Sequence, residues 1–127
     1  MPRAKSTRHR LFAILNAIHH IELVVKDLDE AAFKADFMRY RTVERELEII
    51  SEASRSLTAA QKARHPSIPW RQIADIGNVL RHQYDFVAQS LIWGVVVNHL
   101  APLKQAAQSL YAEVKRPADP WPDAENQ

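Results

Sequence analysis

The sequence predicts an all-α protein: an antiparallel helical bundle of four longer helices with one or two short ones. Only two of the 127 residues are glycine, and the strong helix formers Ala, Leu, Glu, Arg and Gln are abundant. Apolar residues recur at steps of three and four along most of the chain, which is the period of an amphipathic helix. The short stretches between these segments favour antiparallel neighbours. The length suits a single domain with one core.

The chain divides into three parts by composition. Residues 1–7 are predicted to form a basic N-terminal arm, residues 8–115 the helical domain, and residues 116–127 a disordered, proline-rich tail with little to bury. Whether the arm contacts RNA phosphate or is simply solvated stays open, because the net charge of +2 is too small to indicate nucleic-acid binding.

The first half of the domain predicts two helices. The first begins at Ser6 or Thr7, both good N-cap residues, and runs to about Lys26. The second covers about residues 31–57, with a break near Asp36. Its apolar stripe is expected in the core and consists of Phe33, Phe37, Tyr40, Val43, Leu47, Ile50, Ala53 and Leu57.

The second half predicts a short helix, a helix with unusual polar content, and a long last helix. Thr58 and Gln61 form a capping box for the short helix. The next helix covers residues 70–83, with Trp70 as a structural anchor at its start. The last helix, capped by Asp85, runs to residue 114 and is kinked or divided by Pro102.

The helix at 70–83 carries two stripes. The apolar one is expected to pack on the core and consists of Ile73, Ile76, Leu80 and Tyr84. The polar one follows spacings of four, three and four and consists of Arg71, Asp75, Asn78 and His82. On periodicity alone, a solvated helix face accounts for the polar stripe at least as well as a functional site does.

Three segments resemble the HepT-like family of the HEPN superfamily: RTVERELEIISEASRSL, IPWRQIADIGNVLRHQYDFV and LIWGVVVNHLAPLKQAAQSL. The resemblance covers about residues 8–113. It implies an all-α ribonuclease toxin that forms a homodimer, with two motif regions facing each other across a cleft. It also implies a nucleotidyltransferase antitoxin, which silences the toxin by transferring AMP from ATP to the motif tyrosine.

The family motif is R-x4-H-x-Y, usually with a polar residue directly after the arginine. Asn78, His82 and Tyr84 match it, so Tyr84 is the implied site of AMPylation. The position of the family arginine is Gly77 in this chain, and the nearest arginine is Arg81.

Metal-independent RNA cleavage requires a base, an acid and a cation that stabilises the phosphorus transition state. His82 is the predicted proton carrier, Asn78 its orienting or phosphate-binding neighbour, and Arg81 the replacement cation.

Three further residues are supporting candidates. Asp75 shares the polar stripe, and the resemblance places the helix of Arg45 and Glu52 beside the motif helix. The alternative for Arg45 and Glu52 is an exposed, salt-bridged helix face.

Gly77 supports a second hypothesis from another class, in which the chain is a weak or inactive HEPN module that binds RNA or the nucleotidyltransferase. A purely structural helical adaptor explains the fold but not the polar cluster. The absence of cysteine and of an H-x3-H pair predicts no metal site, and we expect no cofactor. No apolar run approaches the ~18 residues of a membrane span, so we expect a cytoplasmic protein without a membrane partner.

Overall fold

The computed structural model describes residues 6–122, and within them it contains seven α-helices and no strand. The all-α prediction is confirmed. The helices are α1 (Thr7–Val25), α2 (Glu30–Ala35), α3 (Phe37–Ser54), α4 (Ala59–Ala63), α5 (Trp70–Arg81), α6 (Asp85–Asn98) and α7 (Leu100–Val114). In the centre α3 packs against α1 on one side and α5 on the other, and α7 packs along α1.

The core lies mainly between α1, α3 and α7. Its largest fully buried side chains are Tyr40, Tyr111, Phe33, Leu11, Ile14, Ile18, Ile21, Leu47, Ile50, Ile92, Leu110 and Val43. Each such side chain contributes roughly 1.5–3 kcal/mol of transfer free energy. The helix of the polar stripe, α5, adds only Ile73, Gly77 and Leu80 to the buried residues, so most of its surface is free for other roles.

Local capping chemistry sets the helix boundaries in the first half. Ser6 Oγ accepts a hydrogen bond from the His9 N–H at the start of α1, and Asp29 accepts one from Ala32 at the start of α2. Asp36 ends α2 and caps α3, which confirms the predicted break. Phe37 was predicted to be buried and is not: directly after this break it is 66% exposed.

The start of α5 is fixed by α4. Thr58 and Gln61 form the predicted capping box, with each side chain bonded to the other residue's backbone N–H. The Trp70 Nε1–H is directed to the carbonyl oxygens of Lys62 and His65, both at 3.1 Å. Trp70 is therefore the structural anchor that the sequence predicts.

The predicted long last helix is divided in two. It breaks at His99, and the axes of α6 and α7 differ by 56°. Pro102 is the third residue of α7, where an N–H has no intrahelical partner to lose. Asp85 is not the cap that was predicted, because Tyr84 holds the N-cap position and Asp85 is the first helical residue. Its carboxylate still lies at the favourable end of the helix dipole.

Among residues 6–122, no single helix is long and apolar enough to cross a membrane. The bent pair of α6 and α7 meets the length and composition only when both are counted together.

The segment after α7 packs on the body of the protein. The Tyr111 hydroxyl donates to the Pro120 carbonyl at 2.9 Å, and the ring of Trp121 meets that of Tyr111 edge to face at 5.2 Å. Asp119 accepts from Arg8 Nη1 at 3.0 Å and from the Arg116 N–H at 2.9 Å. The Arg116 N–H, and after it Arg8, hold the pKa of the Asp119 carboxyl below its ordinary value.

The predicted disorder of the tail is therefore wrong for residues 116–122. Trp121 and Asp119 have partners on α7 and α1, which composition alone does not reveal. Residues 1–5 of the predicted arm and residues 123–127 of the predicted tail lie outside the described residues.

Ser51 holds α5 against α3. Its side chain is 1% exposed, and its Oγ donates to the Ala74 carbonyl at 2.8 Å while it accepts from the Gly77 N–H at 3.4 Å. The Arg55 Nε–H donates to the same Ala74 carbonyl at 2.8 Å. One buried hydroxyl thus bridges two backbone groups, one turn apart, on the neighbouring helix.

We predict that Ser51→Ala lowers the free energy of unfolding by about 1–2 kcal/mol, because it removes both buried hydrogen bonds of the hydroxyl. Urea denaturation followed by circular dichroism measures this. The control is Ser90→Ala on α6, whose exposed hydroxyl bonds only to the Phe86 carbonyl one turn back; that change should cost under about 0.5 kcal/mol. Equal losses in the two variants would show that Ser51 does not hold the helices together.

Candidate functional site

Position 77 faces both α3 and the arginine one turn later. Gly77 is buried, and a Cβ placed on it would lie 3.6 Å from Ser51 Oγ and 3.8 Å from Arg81 Nη1. These are ordinary van der Waals distances. The guanidinium of Arg81 therefore extends back along α5 to the place where a side chain on residue 77 would begin.

A cleft of about 780 Å³ lies between α1, α3 and α5, and Gly77 and Arg81 are part of its wall. Its charged side chains are four arginines and two glutamates: Arg10, Arg45, Arg55, Arg81, Glu48 and Glu52. His9 also lines it. The excess of guanidinium groups makes the cleft attractive to an anion. Within residues 6–122 no group of three His, Asp or Glu side chains is placed to hold a metal ion.

The arginines of the cleft differ in their partners. Arg45 pairs with Glu48 at 3.4 Å, and Arg55 is bonded to the Ala74 carbonyl. No carboxylate of the described residues lies within ion-pair distance of Arg81, and the buried Nε of Arg10 has no hydrogen-bond partner among them. Two of the four guanidinium groups are thus left for a ligand.

The structure separates the predicted site residues into two groups. Arg81, Arg45 and Glu52 line the cleft together. Asn78, His82 and Tyr84 are exposed and are not among the lining residues.

Asp75 belongs to neither group. It lies in another groove, formed with Arg55, Lys62, Trp70, Arg71 and Ala74. The structure therefore does not bring Asp75 together with His82 as the shared stripe suggested.

His82 and Tyr84 lie on the three-residue connection between α5 and α6. The predicted helix to residue 83 is two residues too long, because the His82 N–H turns to the Val79 carbonyl at 3.1 Å and tightens the last turn. Tyr84 does not close the apolar stripe, as its side chain is 79% exposed at the N-cap of α6. Its ring is accessible to another macromolecule.

An ion-pair network fixes this connection to α3. Arg41 bonds Glu44 at 3.0 Å and reaches Asp85, the residue after Tyr84, at 3.5 Å. The Tyr40 hydroxyl donates to Glu44 at 3.0 Å, and burial together with this bond raises the pKa of Tyr40 to about 12. The network therefore fixes the position of the connection that carries the exposed Tyr84.

Sequence reasoning missed the part of the cleft that comes from α1. Arg10 and His9 fell in the predicted first helix but were not among the predicted site residues; they lie in the first turn of α1 and line the cleft. The available signal was helical spacing, because Arg10 precedes the buried Leu11 and lies four residues before the buried Ile14. It therefore borders the core face of its helix.

The fold and the site define a class: small all-α proteins in which a motif helix and the connection after it carry an exposed Asn, His and Tyr, while the same helix contributes to a cleft with excess positive charge. The chain belongs to the HepT-like ribonuclease family, since the family model described as "Ribonuclease HepT-like" matches residues 14–110. The resemblance predicted from the motif is confirmed.

Two relatives illustrate the similarity. The chain is 33% identical over 106 residues to "Probable ribonuclease HepT" of Thermococcus cleftensis, covering 84% of this chain and 96% of the relative. It is 30% identical over 98 residues to "Putative RNase MJ1380" of Methanocaldococcus jannaschii, covering 77% and 90%. No solved structure matches the chain significantly.

Proposed function

We propose that this protein is a ribonuclease toxin that cleaves RNA without a metal ion. The observation that carries the proposal is the position of Arg81, whose Nη1 is 3.8 Å from where a side chain on Gly77 would begin. A guanidinium therefore lies beside the position from which the side chain of the family arginine extends. The names of the relatives, which include RNase, support the same activity.

The reaction requires two proton transfers, one from the attacking 2′-hydroxyl and one to the leaving 5′-oxygen. The 2′-hydroxyl of RNA loses its proton and attacks the adjacent phosphorus, the bond to the 5′-oxygen breaks, and that oxygen receives a proton. The products are a 2′,3′-cyclic phosphate and a free 5′-hydroxyl. His82 carries one of these protons, and Asn78, one turn earlier, orients it or binds phosphate. Arg81 stabilises the charge that develops on the phosphoryl oxygens.

We propose a homodimer formed through α6. This helix is mostly apolar and its apolar residues do not keep to one face, yet only Ala88 and Ile92 are buried. Phe86, Leu91 and Val97 are exposed at 72%, 42% and 57%. Because α6 begins directly after Tyr84, a second copy packed on this helix would bring the exposed His82 and Tyr84 of the two protomers close together. Arg81 of one protomer then serves His82 of the other.

A nucleotidyltransferase antitoxin is the second partner in this proposal. Its reaction joins the Tyr84 oxygen to the α-phosphorus of ATP, with loss of the phenol proton and release of pyrophosphate. The exposed ring of Tyr84 is accessible to such an enzyme. The attached AMP adds bulk and negative charge beside the RNA site, so it blocks substrate and competes for the arginines.

The second candidate function is an inactive module that binds RNA or the nucleotidyltransferase. Gly77 favours it, because the family arginine is absent from its usual position. In both cases we expect the protein in the cytoplasm, together with its RNA and its ATP-using partner.

The first prediction concerns cleavage. Purified protein in excess chelator should cut single-stranded RNA and leave 2′,3′-cyclic phosphate ends, detected by gel electrophoresis and mass spectrometry. His82→Ala should abolish the cleavage with an unchanged circular dichroism spectrum, because the proton carrier is lost. His99→Ala, between α6 and α7, is the control and should cleave like the wild type. Equal cleavage by wild type and His82→Ala would indicate a contaminant.

The second prediction concerns Tyr84. Co-expression with a nucleotidyltransferase encoded beside this chain should add whole AMP units to the peptide that contains Tyr84, as measured by intact-mass spectrometry and peptide mapping. Tyr84→Phe lacks the acceptor oxygen and should gain no mass. Tyr111→Phe is the control and should be modified normally, since the Tyr111 ring is 2% exposed and its hydroxyl bonds to Pro120, outside the network around Tyr84. An unmodified Tyr84 beside a demonstrably active partner contradicts the proposal.

A further inference from the structure

Arg10 combines burial, charge and an unused donor. It lies in the first turn of α1, outside the motif segment, and its side chain is partly buried in the wall of the cleft. Its Nε is fully buried and has no hydrogen-bond partner among residues 6–122. A buried charged donor without a partner costs free energy, and arginine cannot escape the cost by losing its proton. This position therefore requires an explanation other than folding stability.

The carboxylates nearby do not neutralise Arg10. Of the two glutamates in the cleft, Glu48 is paired with Arg45, and Glu52 forms no ion pair with any described residue. In contrast, Arg8, two residues earlier on α1, is paired with Asp119 at 3.0 Å. The same helix turn thus contains one arginine with a carboxylate partner and one that lines the cleft with no carboxylate partner among residues 6–122.

We propose that Arg10 binds the phosphate backbone of an RNA strand in the cleft, opposite Arg81. Guanidinium groups bind phosphate oxygens through two parallel hydrogen bonds, and the two terminal nitrogens of Arg10 can donate both while Nε stays buried in the wall. Arg10 on α1 and Arg81 on α5 line the same cleft from different helices, so both can contact the backbone of one strand that lies in it. This assignment rests on the proposed function and adds a substrate-binding residue that lies outside the motif.

The size and lining of the cleft suit a single strand. Its volume of about 780 Å³ is within the ~300–1,000 Å³ range of small-molecule sites and has room for a nucleotide. Ala13 and Ile49 give it an apolar part that can contact ribose or base, while the arginines take the phosphate. Arg10 is thereby a binding residue that positions the strand as it passes the exposed His82 and Tyr84.

The test is the binding of a fluorescent 2′-O-methyl RNA oligonucleotide, measured by anisotropy at several salt concentrations. This probe lacks the 2′-hydroxyl nucleophile, so binding is measured without cleavage. Arg10→Ala should weaken binding at least about tenfold, because a charge-assisted pair of hydrogen bonds is lost. For this variant, the slope of the logarithm of the binding constant against the logarithm of the salt concentration should fall by about one, because one counterion fewer is released. Arg10→Lys keeps the charge without the fork, so it should bind about threefold or more weaker than the wild type, with an unchanged salt dependence.

The matched control is Arg64→Ala, which removes the same charge outside the cleft, where Arg64 pairs with Glu113. It should change binding less than about twofold. Binding by Arg10→Ala as tight as by Arg64→Ala, or no binding by the wild type, would overturn the inference. If Arg10→Ala does not fold, Arg10→Lys decides, and wild-type binding by that variant overturns it.

The inference and the ribonuclease proposal fail in different ways. A wild-type protein that binds the probe through Arg10 but leaves unmodified RNA intact refutes the ribonuclease and supports the binding site. A protein that cleaves RNA while Arg10→Ala binds the probe normally refutes the binding site alone.

Discussion

The contact between Ser51 and the backbone of α5 is the constraint on which the candidate site depends. A single buried hydroxyl holds the Ala74 carbonyl and the Gly77 N–H, and it does so where α5 has no side chain of its own at residue 77. Each hydrogen bond of such a hydroxyl contributes about 1 kcal/mol to the free energy of unfolding. Removing the hydroxyl costs more, because buried backbone groups then lose a partner. This contact fixes the wall of α5 that, with α3 and α1, encloses the basic cleft.

The same geometry brings the guanidinium of Arg81 next to residue 77, although Arg81 lies four positions later in the sequence. Side chains on a helix lean toward its N-terminus, and residues four apart lie on one face. The long side chain of Arg81 therefore reaches back over Gly77, which offers no side chain to obstruct it. Residue 77 thus has two neighbours: its N–H donates to Ser51, and the guanidinium of Arg81 lies beside its Cα.

Much of the fold could be predicted from the sequence because short-range chemistry decides it. The caps by Ser6, Asp29 and Asp36 and the capping box of Thr58 are readable from residues three apart. The family membership was likewise readable, since the motif residues are close in sequence. Helical periodicity also gave the buried stripes, except at Phe37, the first residue of α3, and at Tyr84, which lies beyond the end of α5.

The remainder could not be predicted because it depends on contacts between distant segments. The packing of Trp121 on Tyr111 contradicts the disorder suggested by a proline-rich tail. The inclusion of Arg10 in the cleft depends on how α1 crosses α3. The division of the candidate residues between the cleft and the exposed connection arises from the end of α5 at Arg81.

The most direct measurement moves the arginine back to the motif position and compares RNA cleavage by Arg81→Ala and by Gly77→Arg/Arg81→Ala. Arg81→Ala should lose roughly 100-fold or more in rate, and the double variant should recover most of it. Full activity of Arg81→Ala, or a double variant no more active than Arg81→Ala, would contradict the account.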